Sequence, residues 1–154
     1  MKSTLKSPLN SLLVAAAILA AFAATAHADE AQDMFTLKKA EKMDLASPLG
    51  YWSLPDQSRN GFIFSMRFRM KDTEVTVANR CIYGGQTAYV AATAPITLTD
   101  SFIQINGSAR NSVNVGGLTC NVSIDAGAPQ RYRVVNGVLT IENTAVTADK
   151  LQDL

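Results

Sequence analysis

The chain predicts an all-β fold, a single antiparallel up-and-down β-barrel of about eight strands preceded by one short helix. Three observations lead there. Apolar residues occupy every second position in FIFSMRFRM (62–70) and LTCNVSI (118–124), the period of a half-buried strand. Asn136-Gly137 separates two such runs and supplies the positive-φ pair of a tight hairpin. Short strand candidates and turn residues then alternate from Trp52 onward, with no helical period among them. A β-sandwich is the structural alternative, since the same series serves two packed sheets.

Residues 1 to 28 are a different kind of segment. Lys2 and Lys6 precede the apolar run SLLVAAAILAAFAA, and Ala26 and Ala28 fill the small-residue positions of an A-x-A cleavage site, the pattern of a secretory signal peptide. The run is shorter than the roughly 20 apolar residues that cross a bilayer, so no integral membrane segment is expected after its removal. The expected mature protein begins near Asp29 and is periplasmic or secreted. Cleavage removes Lys2, Lys6 and His27, leaving 12 Lys+Arg against 13 Asp+Glu, a formal charge of −1, and no histidine. That balance argues against a nucleic-acid partner, whose phosphates require a basic patch. The lack of histidine excludes Ser-His-Asp and Cys-His catalysis and any histidine zinc site, so neither a metal nor a cofactor is expected.

Cys81 and Cys120 remain. An even pair in an oxidising compartment reads as a disulfide, and closing a loop of about 40 residues contributes roughly 4 kcal/mol in the chain-entropy model.

Residues 29 to 48 form an N-terminal helical segment. Met34, Leu37, Ala40 and Met43, with Phe35, recur at helical spacing and Pro48 ends the run, which predicts an amphipathic helix over residues 31 to 44. Its mixed charges fit a helix packed on the domain better than a membrane contact.

The barrel domain is expected over residues 49 to 154. In its first long strand Phe62, Phe64, Met66, Phe68 and Met70 share one face, opposite Arg67 and Arg69. A turn at Asp72-Thr73 places Met70 beside Val75, Phe68 beside Val77 and Phe64 beside Cys81, with Asn79 the one polar residue on that face. The Asn136-Gly137 hairpin pairs Val135 with Val138, Val134 with Leu139 and Tyr132 with Ile141. TAYVAAT, ITLT and FIQIN are further short strands, divided at Pro95 and at Thr99-Asp100-Ser101, and residues 106–117 read as a polar loop. Cys120 alternates with Leu118, Val122 and Ile124, so both cysteines face the core.

The stretch SPLGYWSLPD (47–56) carries a resemblance. Gly50-Tyr51-Trp52 at the first strand, after a short helical segment and before about eight strands, resembles the lipocalin-like (calycin) barrels. The resemblance implies that Gly50 and Trp52 close one barrel end and that Arg131 or Arg133 packs over the indole. The Thr-Asp-Tyr turn of that family is absent, and no long C-terminal helix follows.

If the strands close, Phe62, Phe64, Met66 and Phe68 point inward, into either a filled core or a ligand cavity. Asn79 then either fixes the polar end of a ligand or turns outward at a β-bulge. Arg67, Arg69 and Arg80 form an outward basic stripe, solvated by default. The expected function is non-enzymatic binding of a small apolar or amphipathic ligand. The alternative is a protein partner, as for a hydrolase inhibitor acting through its loops. Catalysis by carboxylates is disfavoured, since Asp56, Asp72, Asp100, Asp125 and Glu142 show no converging pair in the sequence.

Overall fold

The structure, a computed structural model, describes residues 27–154, so nearly all of the expected signal segment lies outside the described residues. Helix α1 covers residues 27–36. Eleven strands follow: β1 (Gly50–Ser53), β2 (Gln57–Arg59), β3 (Phe62–Met70), β4 (Glu74–Tyr83), β5 (Gln86–Leu98), β6 (Phe102–Ile105), β7 (Ala109–Val115), β8 (Leu118–Ile124), β9 (Gln130–Val135), β10 (Val138–Ile141) and β11 (Thr147–Gln152). Eight of them close an antiparallel barrel in the order β1-β11-β10-β9-β6-β5-β4-β3, with β3 returning to β1. β2 extends the line of β1 along β3, after a break at residues 54–56.

Local hairpins adopt the predicted registers. β3 and β4 pair Met70 with Val75, Phe68 with Val77 and Phe64 with Cys81. β9 and β10 pair Val135 with Val138, Val134 with Leu139 and Tyr132 with Ile141 around Asn136 and Gly137, both at positive φ. Each register follows from a tight turn that fixes the count on both sides.

The rest of the chain departs from expectation in three ways. Pro95 divides nothing: β5 is one strand of 13 residues. Pro95 stands where pairing with β4 ends, at Glu74, and pairing with β6 begins, at Ile96, a handover at which a missing N–H disrupts neither ladder. Residues 109–115 are a strand rather than a loop, and β7 with β8 forms a separate two-stranded sheet outside the barrel. Finally, α1 ends at residue 36, well short of 44. The Arg67 guanidinium donates to the Met34 carbonyl at 2.7 Å and the Leu37 carbonyl at 3.0 Å, and Ala40 N–H donates to Leu151 O at 2.7 Å. Tertiary partners thus take the backbone groups that a longer helix needs.

The β4–β5 hairpin is the longest in the fold, and β5 pairs with β6 only over Ile96–Leu98. Its lower half, ending at Gly84-Gly85, lacks an opposing barrel wall, and the β7–β8 hairpin lies over its inner face instead. Cys81 of β4 bonds Cys120 of β8, 39 residues apart, and both are buried. Val115, Val122 and Ile124 join the same apolar cluster as Trp52, Phe68, Val90, Ile103 and Leu139. One continuous core therefore runs from the closed barrel to the β7–β8 hairpin, and the barrel rather than the sandwich is the fold. Inward Ala88, Ala92 and Ala94 of β5 leave room for the large side chains and strands that approach them.

The disulfide holds a hairpin that shares no ladder with the barrel. Replacing both Cys81 and Cys120 with Ala should lower the unfolding free energy in urea by about 2–5 kcal/mol. Amide exchange should accelerate first over residues 109–124.

Candidate functional site

Two ends of the barrel present different chemistry. The upper end carries Gly50, Met70 and the Asn136-Gly137 turn. Trp52 is fully buried there, stacked on Phe68 with ring centroids 6.2 Å apart, and its Nε1 donates to Pro48 O at 3.0 Å. Gly50 has φ 126°, and a Cβ there would collide with the Gln152 carbonyl, so no other residue fits without backbone movement. Gly50 and Trp52 thus both pack tightly into this end of the barrel.

The expected arginine does not cover the indole. Lys150 of β11 lies over the indole, Nζ 5.6 Å from the ring centroid. Arg131 instead stacks on Phe102 at 5.3 Å, and Arg133 is exposed on the outer side of β9. Alternation along β9 explains this: Tyr132 and Val134 take the inward positions and carry both guanidiniums outward. Lys150 has no exposed side-chain surface, yet its three ammonium protons have three acceptors: Asp44 O at 2.5 Å, Ser47 O at 3.1 Å and Asp153 Oδ1 at 2.8 Å. Asp153 Oδ2 also accepts from Asp44 N–H at 2.9 Å, and the Lys150 hydrogen bond, followed by this one, holds the Asp153 carboxyl below its ordinary range. Residues 44–48 are thereby strapped across the upper end. Sequence reading missed Lys150 because TADKLQ shows no apolar alternation.

At the lower end, Phe68 and Met70 are core residues, whereas Phe62, Phe64 and Met66 are half-buried. Phe62 and Tyr83, ring centroids 6.3 Å apart, form with Leu118, Arg59 and Thr119 a groove of about 430 Å³. Asn79 lies opposite Met66 in an unbroken ladder, so there is no bulge and the amide points inward. It is 2% exposed; Nδ2 donates to Asn121 O at 2.6 Å, and Oδ1 has no partner among the described residues. Flipping the amide would set two oxygens against each other at that distance, so the orientation is fixed. Phe62, Phe64, Met66 and Asn79 therefore share one face, running from an open groove to a buried acceptor.

The basic stripe is covered rather than solvated. Phe35 of α1 lies between Arg67 and Arg80, with guanidinium carbons 5.1 and 5.0 Å from its ring centroid. Arg69 pairs with Glu30 at 2.8 Å. Burial, with the neighbouring Arg80, lowers the Arg67 pKa. Beneath the helix, Ala31 and Met34 pack on Ala78 and Ala91.

Of the five carboxylates, Asp125 pairs with Arg110 at 2.7 Å and Asp56 approaches Arg80 at 3.8 Å. Asp72, Asp100 and Glu142 come together instead on the rim of one cleft of about 760 Å³ at the upper end, a convergence the sequence did not show. Compared with protein-family models, with curated proteins and with solved structures, the chain matches none.

The Lys150 knot has two testable consequences. Lys150→Met should cost about 1–3 kcal/mol, because it leaves the Asp44 and Ser47 carbonyls without their donor. The lowered Asp153 pKa stabilises the fold above the unfolded-state value and loses that effect as pH falls through the folded-state value. Acid titration followed by Trp52 fluorescence should show a transition that Asp153→Asn flattens.

Proposed function

We propose that this is an exported, non-enzymatic barrel of lipocalin-like type that binds a small amphipathic ligand at its lower end. The observation that carries the reading is Asn79 Oδ1, a buried acceptor with no donor among the described residues, beside half-buried aromatic and thioether side chains. Such acceptors are rare in folded proteins, and one in a binding face is what a ligand's hydroxyl or amine needs. Phe62, Phe64 and Met66 alternate along β3, so the groove and the amide are separated by about 13 Å of strand, the reach of a medium-length alkyl chain. Phe68 forms the upper limit of the site. The Cys81–Cys120 disulfide and the N-terminal leader support export.

A second reading has its own support. Val113 and Leu118, 38% and 42% exposed, leave apolar surface on the disulfide-anchored β7–β8 hairpin, with Leu118 at the rim of the lower groove, which suits a protein partner such as a hydrolase.

Native mass spectrometry of the mature protein purified from its own host separates these readings. Wild type should retain a stoichiometric small molecule that is released on denaturation. Asn79→Leu should lose it while melting within a few degrees of wild type, since removal of the unpaired acceptor from the core offsets the donor lost to the Asn121 carbonyl. An apo mass for wild type would overturn the carrier reading in favour of the hairpin.

A further inference from the structure

The barrel wall is not continuous above β6. Only two residue pairs join β6 to β9, Phe102 with Arg131 and Ile103 with Gln130, so the rest of β9 rises past the end of its neighbour. The gap is bridged by the β5–β6 turn, where Tyr132 N–H donates to Ser101 O at 3.0 Å and the Tyr132 hydroxyl donates to Thr99 O at 2.5 Å. With the strap at residues 46–49 as the third side, this discontinuity makes the cleft of about 760 Å³. That volume is in the range of small-ligand sites.

The lining is amphipathic and its charges are sorted by element. Half-buried Leu49, Leu98 and Val134 supply apolar surface. β9 supplies Arg131 and Arg133; the β3–β4 and β5–β6 turns supply Asp72 and Asp100. Among the described residues none of these four charges lies in an ion pair. Arg131 is held on Phe102, and Glu142 leaves β10 beside it, its N–H donating to Arg131 O at 2.9 Å. Arg133, opposite Thr140 in the ladder, has no carboxylate as its strand partner. Asp100 acts on the Tyr132 hydroxyl, whose pKa is raised by burial first and by this carboxylate second. One wall therefore offers the Arg133 guanidinium, with Glu142 farther along beside Arg131, and the other the Asp72 and Asp100 carboxylates, in a lining that also holds apolar Leu49, Leu98 and Val134.

We propose that this cleft is a second binding site, distinct from the lower groove, that takes a short linear peptide by its free termini. The C-terminal carboxylate meets Arg133, the N-terminal ammonium meets Asp100 and Asp72, and apolar side chains lie on Leu98 and Val134. A fork-shaped guanidinium suits a carboxylate, and a compact ammonium suits aspartate side chains. Asn79 takes no part, so this site stands or falls independently of the lower one.

Isothermal titration of the mature protein with unblocked trileucine tests the assignment. Expected are saturable one-to-one binding, a loss of at least tenfold in affinity when the peptide is N-acetylated or C-amidated, and loss of the amidation effect in Arg133→Ala and of the acetylation effect in Asp100→Asn. Both residues are exposed, so thermal melts of the variants should match wild type. Asn79→Leu should bind trileucine normally. Absence of saturable binding at millimolar peptide, equal affinity for the doubly blocked peptide, or no effect of Arg133→Ala would each overturn the proposal.

Discussion

A charged amine inside a barrel is tolerable only if every proton is met, and Lys150 is met three times. The Lys150 ammonium draws the strap at residues 44–48 over the end of the barrel, and the strap then presents the Pro48 carbonyl to the indole of Trp52. Hydrophobic residues would close the same space with less desolvation, but they would leave two carbonyls of the strap without donors. The lysine therefore does what a larger apolar plug cannot: it specifies one path for an irregular segment. The upper cleft inherits that order, because residues 46–49 form one of its sides.

Two accessory layers complete the domain, and alanine marks where each one lands. Outward Ala78 and Ala91 admit α1 close to the sheet, and inward Ala88, Ala92 and Ala94 face the core. The layers differ in what holds them. The β7–β8 hairpin is tied by a covalent bond and the Asn79–Asn121 hydrogen bond. α1, too short to persist alone in water, depends on arginine contacts to its ring, its carboxylate and its last carbonyls. An arginine row that would otherwise be solvent-exposed thus becomes the receptor for the chain's own N-terminal segment.

Legibility in the sequence followed locality. The β3–β4 and β9–β10 registers depend on a turn and its flanking alternation, all within about twenty residues, and both were readable. The inward direction of Asn79 followed from the same count once no bulge intervened. β11 was invisible because its inward positions carry Ala148 and Lys150, a small and a charged residue. β7 was invisible because most of it faces water. The end of α1 was misplaced because Arg67, some thirty residues away, competes for its carbonyls. The cleft, with its three carboxylates, arises from a ladder that stops after two pairs, and no local pattern encodes where a ladder stops.

The seam that shuts the barrel joins Tyr51 to Gln152, the first strand to the last, roughly a hundred residues apart. A chain released N-terminus first presents β1 long before its partner exists, with only β3 available to shield one edge. Closure thus waits for β11, and removal of residues 149–154 would leave Trp52 beside an unzipped wall while the β3–β4–β5 meander and the disulfide-linked finger remained intact. Formation of β11 and completion of the core are, in this topology, the same event.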